Sequence, residues 1–285
     1  MTITLREGRP EDAGEAGRIC YEAFHAIATA HGFPPDFPSA EVGMAVVGGM
    51  LGAPGLYSMV AEVDGKIAGS NFLMELNPIS GVGPITVDPT IQNRGLGGRL
   101  MEAVMERSAA KGFAGIRLVQ AGYHCRSLSL YSKLGFDVRE HLSCLQGPAI
   151  GETVAGYAVR VATEADLAAC DALCARVHGV HRGGELAEAV GRGLARVVER
   201  GGRITAYASQ VAFFGHAVAE TTDDLKALIA TAEQFGGPGI LIPSRNGELL
   251  RWCLAKGLRV TQTATLMTMG LYNEPLRAWL PSVLY

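Results

Sequence analysis

Nowhere does the sequence place two cysteines as C-x-x-C, and Cys20, Cys125, Cys144, Cys170, Cys174 and Cys253 are scattered along it. That excludes a thioredoxin-like redox pair and a cysteine-rich zinc knuckle, and a chain of 285 residues needs no disulfide staple. Reduced, buried thiols are the expectation. No apolar run approaches the roughly 18 to 20 residues that span a bilayer, so no membrane contact is expected. Positive charge is not in excess either: 25 Lys and Arg stand against 28 Asp and Glu, a formal net charge of -3. Such a balance gives no broad attraction for phosphate backbones, which argues against nucleic acid as a partner. His178 and His181 are three apart without a Cys or carboxylate at ligand spacing, so no metal site is expected. The start, Met1-Thr2-Ile3-Thr4-Leu5-Arg6, lacks the basic and apolar segments of a secretory leader and reads as a strand. A cytoplasmic location follows as an expectation.

What is present is a 48% hydrophobic composition with 37 glycines placed at turns and helix ends. The length suits two domains, with boundaries expected at 1–146 and 147–285 around the linker-like Gln146-Gly147-Pro148-Ala149-Ile150-Gly151. Ile3–Arg6 reads as a strand, and Ala16, Ile19, Cys20, Ala23, Phe24 and Ile27 recur at helical spacing. Prolines at 34, 35 and 38 end that helix, and Phe33 and Phe37 in the loop suit either a pocket wall or packing over the core. A weak helix over 40–51 is followed by alternating Tyr57–Val63, then Asp64-Gly65, a type I′ turn signal, into Ile67–Glu75. Gly83–Val87 is an irregular strand carrying Pro84, and helical spacing resumes at Gly98. A strand over 115–120, a helix over 126–134 and a strand from Phe136 complete a mixed α/β order.

The later half echoes the earlier one. Arg6 and Asp12 open a strand-to-helix unit, as do Arg160 and Asp166, and Tyr131–Phe136 aligns with Cys253–Leu258. The later interval is shorter by about a hairpin and its flanking loop, and a degenerate internal repeat is the preferred reading. Val211–Val218 reads as a strand, followed by Glu220, Asp223 and Asp224 as helix-start residues with Thr222 as a possible cap.

One glycine cluster needs a chemical reason. Gln92-Asn93-Arg94-Gly95-Leu96-Gly97-Gly98 lies between a strand and a helix. A helix N-terminus has unpaired N–H groups and the positive end of the peptide dipole, and glycines let a pyrophosphate approach them. A dinucleotide fingerprint would need glycine at Leu100, and a P-loop would need Gly-Lys-Ser/Thr after four spacers. Neither is there, and a structural turn remains the alternative.

Val87-Asp88-Pro89 followed by Gln92-Asn93-Arg94-Gly95-Leu96-Gly97, with Leu130-Tyr131-Ser132-Lys133-Leu134-Gly135-Phe136 further on, resembles the two signatures of the GNAT N-acetyltransferase superfamily. The resemblance covers residues 1 to about 145 and extends only faintly beyond. It implies two GNAT-like domains, each a mostly antiparallel mixed sheet flanked by helices, the second degenerate. Acetyl-CoA is implied as cosubstrate. Backbone groups of Ile85, Thr86 and Val87 would hold pantetheine, and amides from Asn93 to Gly98 behind Gln92 would bind the pyrophosphate. Tyr131 would serve the departing thiolate; a thiol near 8.5 against a tyrosine near 10 makes full proton transfer uphill by about 2 kcal/mol, favouring concerted donation. His124 and Ser127 replace the family's usual Asn and Ala beside the cofactor.

The base is missing from its family position, since neither Ile85–Val87 nor Ile116–Val119 carries a glutamate. Glu75 is the leading substitute, with Glu62, His25, His31 and the terminal carboxylate of Tyr285 behind it. The later half lacks the glycine loop, and its carboxylates at 220, 223 and 224 would repel a pyrophosphate. Asn246 precedes Cys253 by the spacing that separates His124 from Tyr131, while His216 and Cys253 read as core. The expected activity is acyl transfer to a primary amine, on a small molecule or a peptide, by direct attack on the thioester. A homo-oligomer is left open, and a non-catalytic acyl-CoA sensor or assembly module is the competing reading.

Overall fold

The computed structural model describes residues 2–284. Strand β1 (Ile3–Glu7) leads through a 3-10 turn at Pro10–Asp12 into α1 (Ala13–Ala30), and α2 (Ala40–Met50) packs on α1. Their approach is close enough that a Cβ at Gly17 would lie 2.4 Å from Met44 Cα. Strands β2 (Leu56–Val63) and β3 (Lys66–Met74) form the expected hairpin, with Asp64 and Gly65 at φ 50 and 78 as a type I′ turn requires. Then come β4 (Ile79–Val82), the short β5 (Thr86–Val87), α3 (Leu96–Ala110), β6 (Gly115–Ala121), α4 (Cys125–Lys133) and β7 (Asp137–Gln146).

The later half runs β8 (Ala158–Val161), α5 (Leu167–His178), α6 (Gly183–Gly191), β9 (Arg196–Arg200), β10 (Arg203–Ala208), β11 (Ala217–Ala219) and α7 (Thr222–Ala230). It ends with β12 (Ile240–Pro243), α8 (Gly247–Ala255), β13 (Arg259–Gly270) and β14 (Ala278–Leu280). The fold is mixed α/β, with two sheets flanked by helices. No helix among the described residues is long and apolar enough to cross a membrane.

The sheets do not divide at the linker. One has the order β1-β2-β3-β4-β6-β13-β7-β12, with β5 paired to β3, and the other has β14-β11-β10-β9-β8. Among the described residues, only β4 and β6 pair as parallel strands. Strand β13, from the later half, lies between β6 and β7 of the earlier half, with Ala264 opposite both Ala121 and Leu142. In return β7 borders β12, Cys144 facing Leu241. The halves thus exchange their last long strands. With neighbours on both sides, β13 buries Leu266 and Met267 fully.

Two landmarks of the internal echo have matching geometry. Arg6 Nη1 and Nη2 donate to Asp12 at 2.7 and 2.8 Å, and Arg160 makes the same pair of bonds to Asp166 at 2.7 and 2.8 Å. In both, the aspartate also accepts from the backbone N–H of the residue three before it, at 2.8 Å, fixing the entry to the helix. The shortening of the later half is not where it was expected. Its hairpin is intact as β9 and β10. What is reduced is the loop between the first two helices, residues 31–39 against 179–182, and the strand and glycine loop that precede α3 have no counterpart before α7.

The Val211–Val218 run is also not one strand. Only Ala217–Ala219 pairs as β11; the preceding residues fold into a loop in which Gly215 sits so tightly on Gln210 that a Cβ would be 2.2 Å from its carbonyl oxygen. Thr221, rather than Thr222, caps α7, its side chain and that of Asp224 bonding each other's backbone N–H. His216 is fully buried, bonded to Glu185 at 2.9 Å and to Tyr207 and Ser209 at 3.1 Å each. It is a satisfied core histidine. Cys253 is likewise fully buried in the later half's core.

Candidate functional site

After two paired residues, β5 leaves its neighbour and the chain turns into the glycine loop. Asp88 accepts from the N–H of Thr90, Gln92 Nε2 donates to the carbonyl of Val87 at 3.0 Å, and Asn93 adopts φ 65. Gly95 is the N-cap of α3, at φ 82 and without a side-chain cap, so the first amides of that helix are not covered from within. A Cβ at Gly95 or Gly98 would meet nothing within 4 Å, and one at Gly97 would come no closer than 3.6 Å to Leu130. This is open space in front of helix amides. Leu96 buries its side chain in the core, leaving only its backbone to the loop, and Arg94 is exposed.

The loop forms one end of a cleft of about 260 Å³. Ile85, Thr86 and Val87 make one wall, α1 contributes Phe24 and Ile27, and Tyr131 faces them from α4. Arg126 also lines it, and its guanidinium donates to Gln92 Oε1 at 2.7 Å and to Asn93 Oδ1 at 3.4 Å. Sequence reading missed Arg126; a basic residue in the first turn of α4 carries no motif of its own. Here it stiffens the loop and adds positive charge beside the helix end.

Tyr131 is 7% exposed, packed edge-on against Phe136, and burial pushes its hydroxyl above the usual tyrosine range. His124 is the N-cap of α4, its Nδ1 accepting from the N–H of Ser127 at 3.2 Å. Asn246 does the same for α8 through Oδ1, at 3.1 Å from the N–H of Leu249. The imidazole therefore takes the capping role of an asparagine. Burial and then the charge of Arg126 push the pKa of His124 down to about 4, so it is neutral at pH 7. The Ser127 hydroxyl lies 2.8 Å from both Gln120 Oε1 and the His124 carbonyl.

Across Phe24, Ile85, His124, Ser127 and Tyr131 the cleft joins a second, larger cavity of about 750 Å³. The proline-rich loop forms part of its rim, with Asp36 and Phe37 lining it, while Phe33 stacks on Tyr123 at 4.3 Å. Phe213, Phe214 and Gln262 reach it from the later half. Gln262 does so because β13 lies beside β6.

The structure corrects the leading base. Glu75 lines neither cavity; its carboxylate pairs with Arg107, 2.8 Å from Nε. Its strand ends beside Gly55, to which its N–H donates, away from the cleft. Glu62 is held by Arg6 at 2.7 Å, His25 stacks on Tyr21, and His31 bonds the carbonyl of Ile27; none lines either cavity. Tyr285 lies outside the described residues. Glu75→Gln is expected to leave any transfer rate and its pH profile unchanged while costing about 1 kcal/mol of stability, as suits an ion pair whose Arg and Glu side chains are 32% and 16% exposed. Parallel rate and denaturant measurements check it.

A strand that ends irregularly, a glycine loop over a helix N-terminus and a buried tyrosine thus line one cleft of an α/β domain. Residues 24–136 match the acetyltransferase (GNAT) family model, so the loop, β5 and Tyr131 belong to a GNAT acetyltransferase domain. The whole fold has solved counterparts. A candidate acetyltransferase from Pyrococcus horikoshii superposes with a TM-score of 0.74 at 17% identity, covering 99% of this chain and 92% of that one. A GCN5-related N-acetyltransferase from Sphaerobacter thermophilus gives 0.61 at 16% identity, covering 95% and 96%. No curated protein sequence matches the chain.

Proposed function

We propose that the chain is an acetyl-CoA-dependent N-acetyltransferase that acetylates a primary amine by direct attack on the thioester. The observation that carries this reading is that β5, the glycine loop and Tyr131 line one cleft. The pyrophosphate lies on the amides from Asn93 to Gly98, and Gln92 and Arg126 hold the loop in shape. Pantetheine runs along Ile85, Thr86 and Val87, where a free backbone N–H meets the thioester carbonyl as it gains charge. His124 and Ser127 flank the acyl end. Because burial destabilises its phenolate, Tyr131 remains protonated and acts by donating to the sulfur as the C–S bond breaks.

The domain boundary is proposed near residue 146, with 147–285 a second GNAT-like copy that has lost the phosphate loop and instead helps to wall the acceptor cavity. That assigns one cofactor to each chain. Calorimetry with acetyl-CoA followed by a thiol-release screen over primary amines tests the reading. Binding near one equivalent with turnover is expected. No binding would end it, and binding without turnover on any amine would favour a non-catalytic sensor.

A further inference from the structure

The larger cavity has a chemical character that the cleft does not share. Its wall is mainly Phe, Pro, Val, Ile and Leu, and Asp36 is the one carboxylate among the described residues that line it. Asp36 accepts from Gln262 Nε2 at 3.0 Å, a bond that joins positions 226 residues apart. Burial pushes its carboxyl above the usual aspartate range, while the Gln262 bond opposes that shift. Nearby lie orphaned polar atoms. Gln262 Oε1, Gln120 Nε2 and the Tyr123 hydroxyl are buried with no hydrogen-bond partner among the described residues, and Gln262 and Gln120 are only 6% and 5% exposed. Their side chains line the cavity, and polar groups left unpaired in the free protein are ones an occupant can satisfy once they turn toward it.

Resting on the proposed transfer reaction, we infer that this cavity is the acceptor site, that it takes a primary amine borne on an extended apolar body, and that Asp36 draws in the ammonium and receives its proton. The volume suits a drug-sized body rather than a bare small amine. Of the polar side chains lining the cavity, Gln262 donates to Asp36 and Gln120 accepts from Ser127, which stands in the wall shared with the cleft. Of the three ammonium protons, one passes to Asp36 before attack and one stays on the amide nitrogen. The third leaves the tetrahedral adduct and balances the proton that Tyr131 gives to sulfur. The C–N bond forms, the C–S bond breaks, and the products are the N-acetyl amine and free thiol.

The groups facing Asp36 are Gln262 on β13, Tyr123 after β6, and the thiols Cys20 on α1 and Cys144 on β7. Desolvation, with the Asp36 charge adding to it, pushes Tyr123 and Cys20 up to about 12 and Cys144 to about 11. Only Asp36 in that set therefore titrates on the acid side. Its carboxylate works when ionised, so kcat falls as pH drops through a raised pKa, above the ordinary value of about 3.9.

The test uses the full chain with acetyl-CoA and a series from methylamine through butylamine to octylamine, with 2-phenylethylamine. Values of kcat/KM are expected to rise about fourfold per added methylene until the cavity is filled. Asp36→Asn is expected to lower kcat/KM about 100-fold, abolish the acid limb and leave acetyl-CoA affinity unchanged. Gln262 is a positioning residue. Gln262→Leu removes the bond that holds the Asp36 pKa down, so the acid limb moves to higher pH, a shift that simple loosening of the wall would not give. If the Asn variant does not fold, the Leu variant's pH profile and the amine series still decide. A flat amine series, or an Asn variant with full rate and an intact limb, overturns this inference alone. Failure of the wild-type chain to bind acetyl-CoA overturns the transfer reading and this with it.

Discussion

With both Gly95 and Gly97 changed to valine, acetyl-CoA affinity is expected to fall about 1000-fold. The loop holds its ligand through backbone amides, and each hydrogen bond to a charged phosphate oxygen contributes about 1.5 to 3 kcal/mol, so losing two is a loss of that size. Position 95 lies at φ 82, where a β-branched side chain is strained, and its Cβ would project into the space in front of the helix. Position 97 accommodates a Cβ, its nearest neighbour being Leu130 at 3.6 Å, and the added bulk stands in the cleft that the ligand would fill. Gly112→Val supplies the control. It is also at positive φ, 72, with open surroundings, and ends α3 far from the loop. Calorimetry should show the control binding normally despite a similar loss of stability. Equal weakening in both variants would mean that the loop only shapes the fold.

Tyr131→Phe is expected to reduce kcat about 1000-fold with acetyl-CoA affinity unchanged. The ring is 7% exposed and packs on Phe136, with centroids 6.3 Å apart, so phenylalanine keeps the packing and removes only the hydroxyl. Without a proton donor the sulfur leaves as a bare thiolate into an apolar cleft. The loss should shrink with an activated thioester whose leaving thiol has a lower pKa. Pre-steady-state release of thiol measures this directly. A core role alone would instead leave kcat intact and shift the melting temperature.

How much was legible in the sequence follows the distance over which each feature is encoded. The Asp64-Gly65 turn, the loop from Gln92 to Gly98 and the Tyr131 helix are local, and backbone chemistry within a few residues fixes them. The Arg6–Asp12 and Arg160–Asp166 pairs are equally local, and the structure gives both the same bidentate geometry. Asp36 could not be read that way. It lies in a loop whose prolines announce only the end of a helix, and its partner Gln262 comes from a strand whose neighbours are set by sheet order. Glu75 stands at a strand end, but sequence does not say that Arg107 on α3 neutralises it. Val211–Val218 shows the converse error: an apolar run suits a strand and a buried loop alike, and the close packing of Gly215 decides.

The exchange of β7 and β13 has a consequence for how the protein is made. When the ribosome has released residues 1–146, β6 still lacks its β13 neighbour, and β7 has neither β13 nor β12 beside it. Both edges stay open until residue 270 has emerged, close to the end of the 285 residues. The earlier half therefore completes its sheet only after synthesis of the later half. A fragment cut at the linker would keep the glycine loop and Tyr131 yet present unpaired strands to solvent, which makes it prone to aggregate.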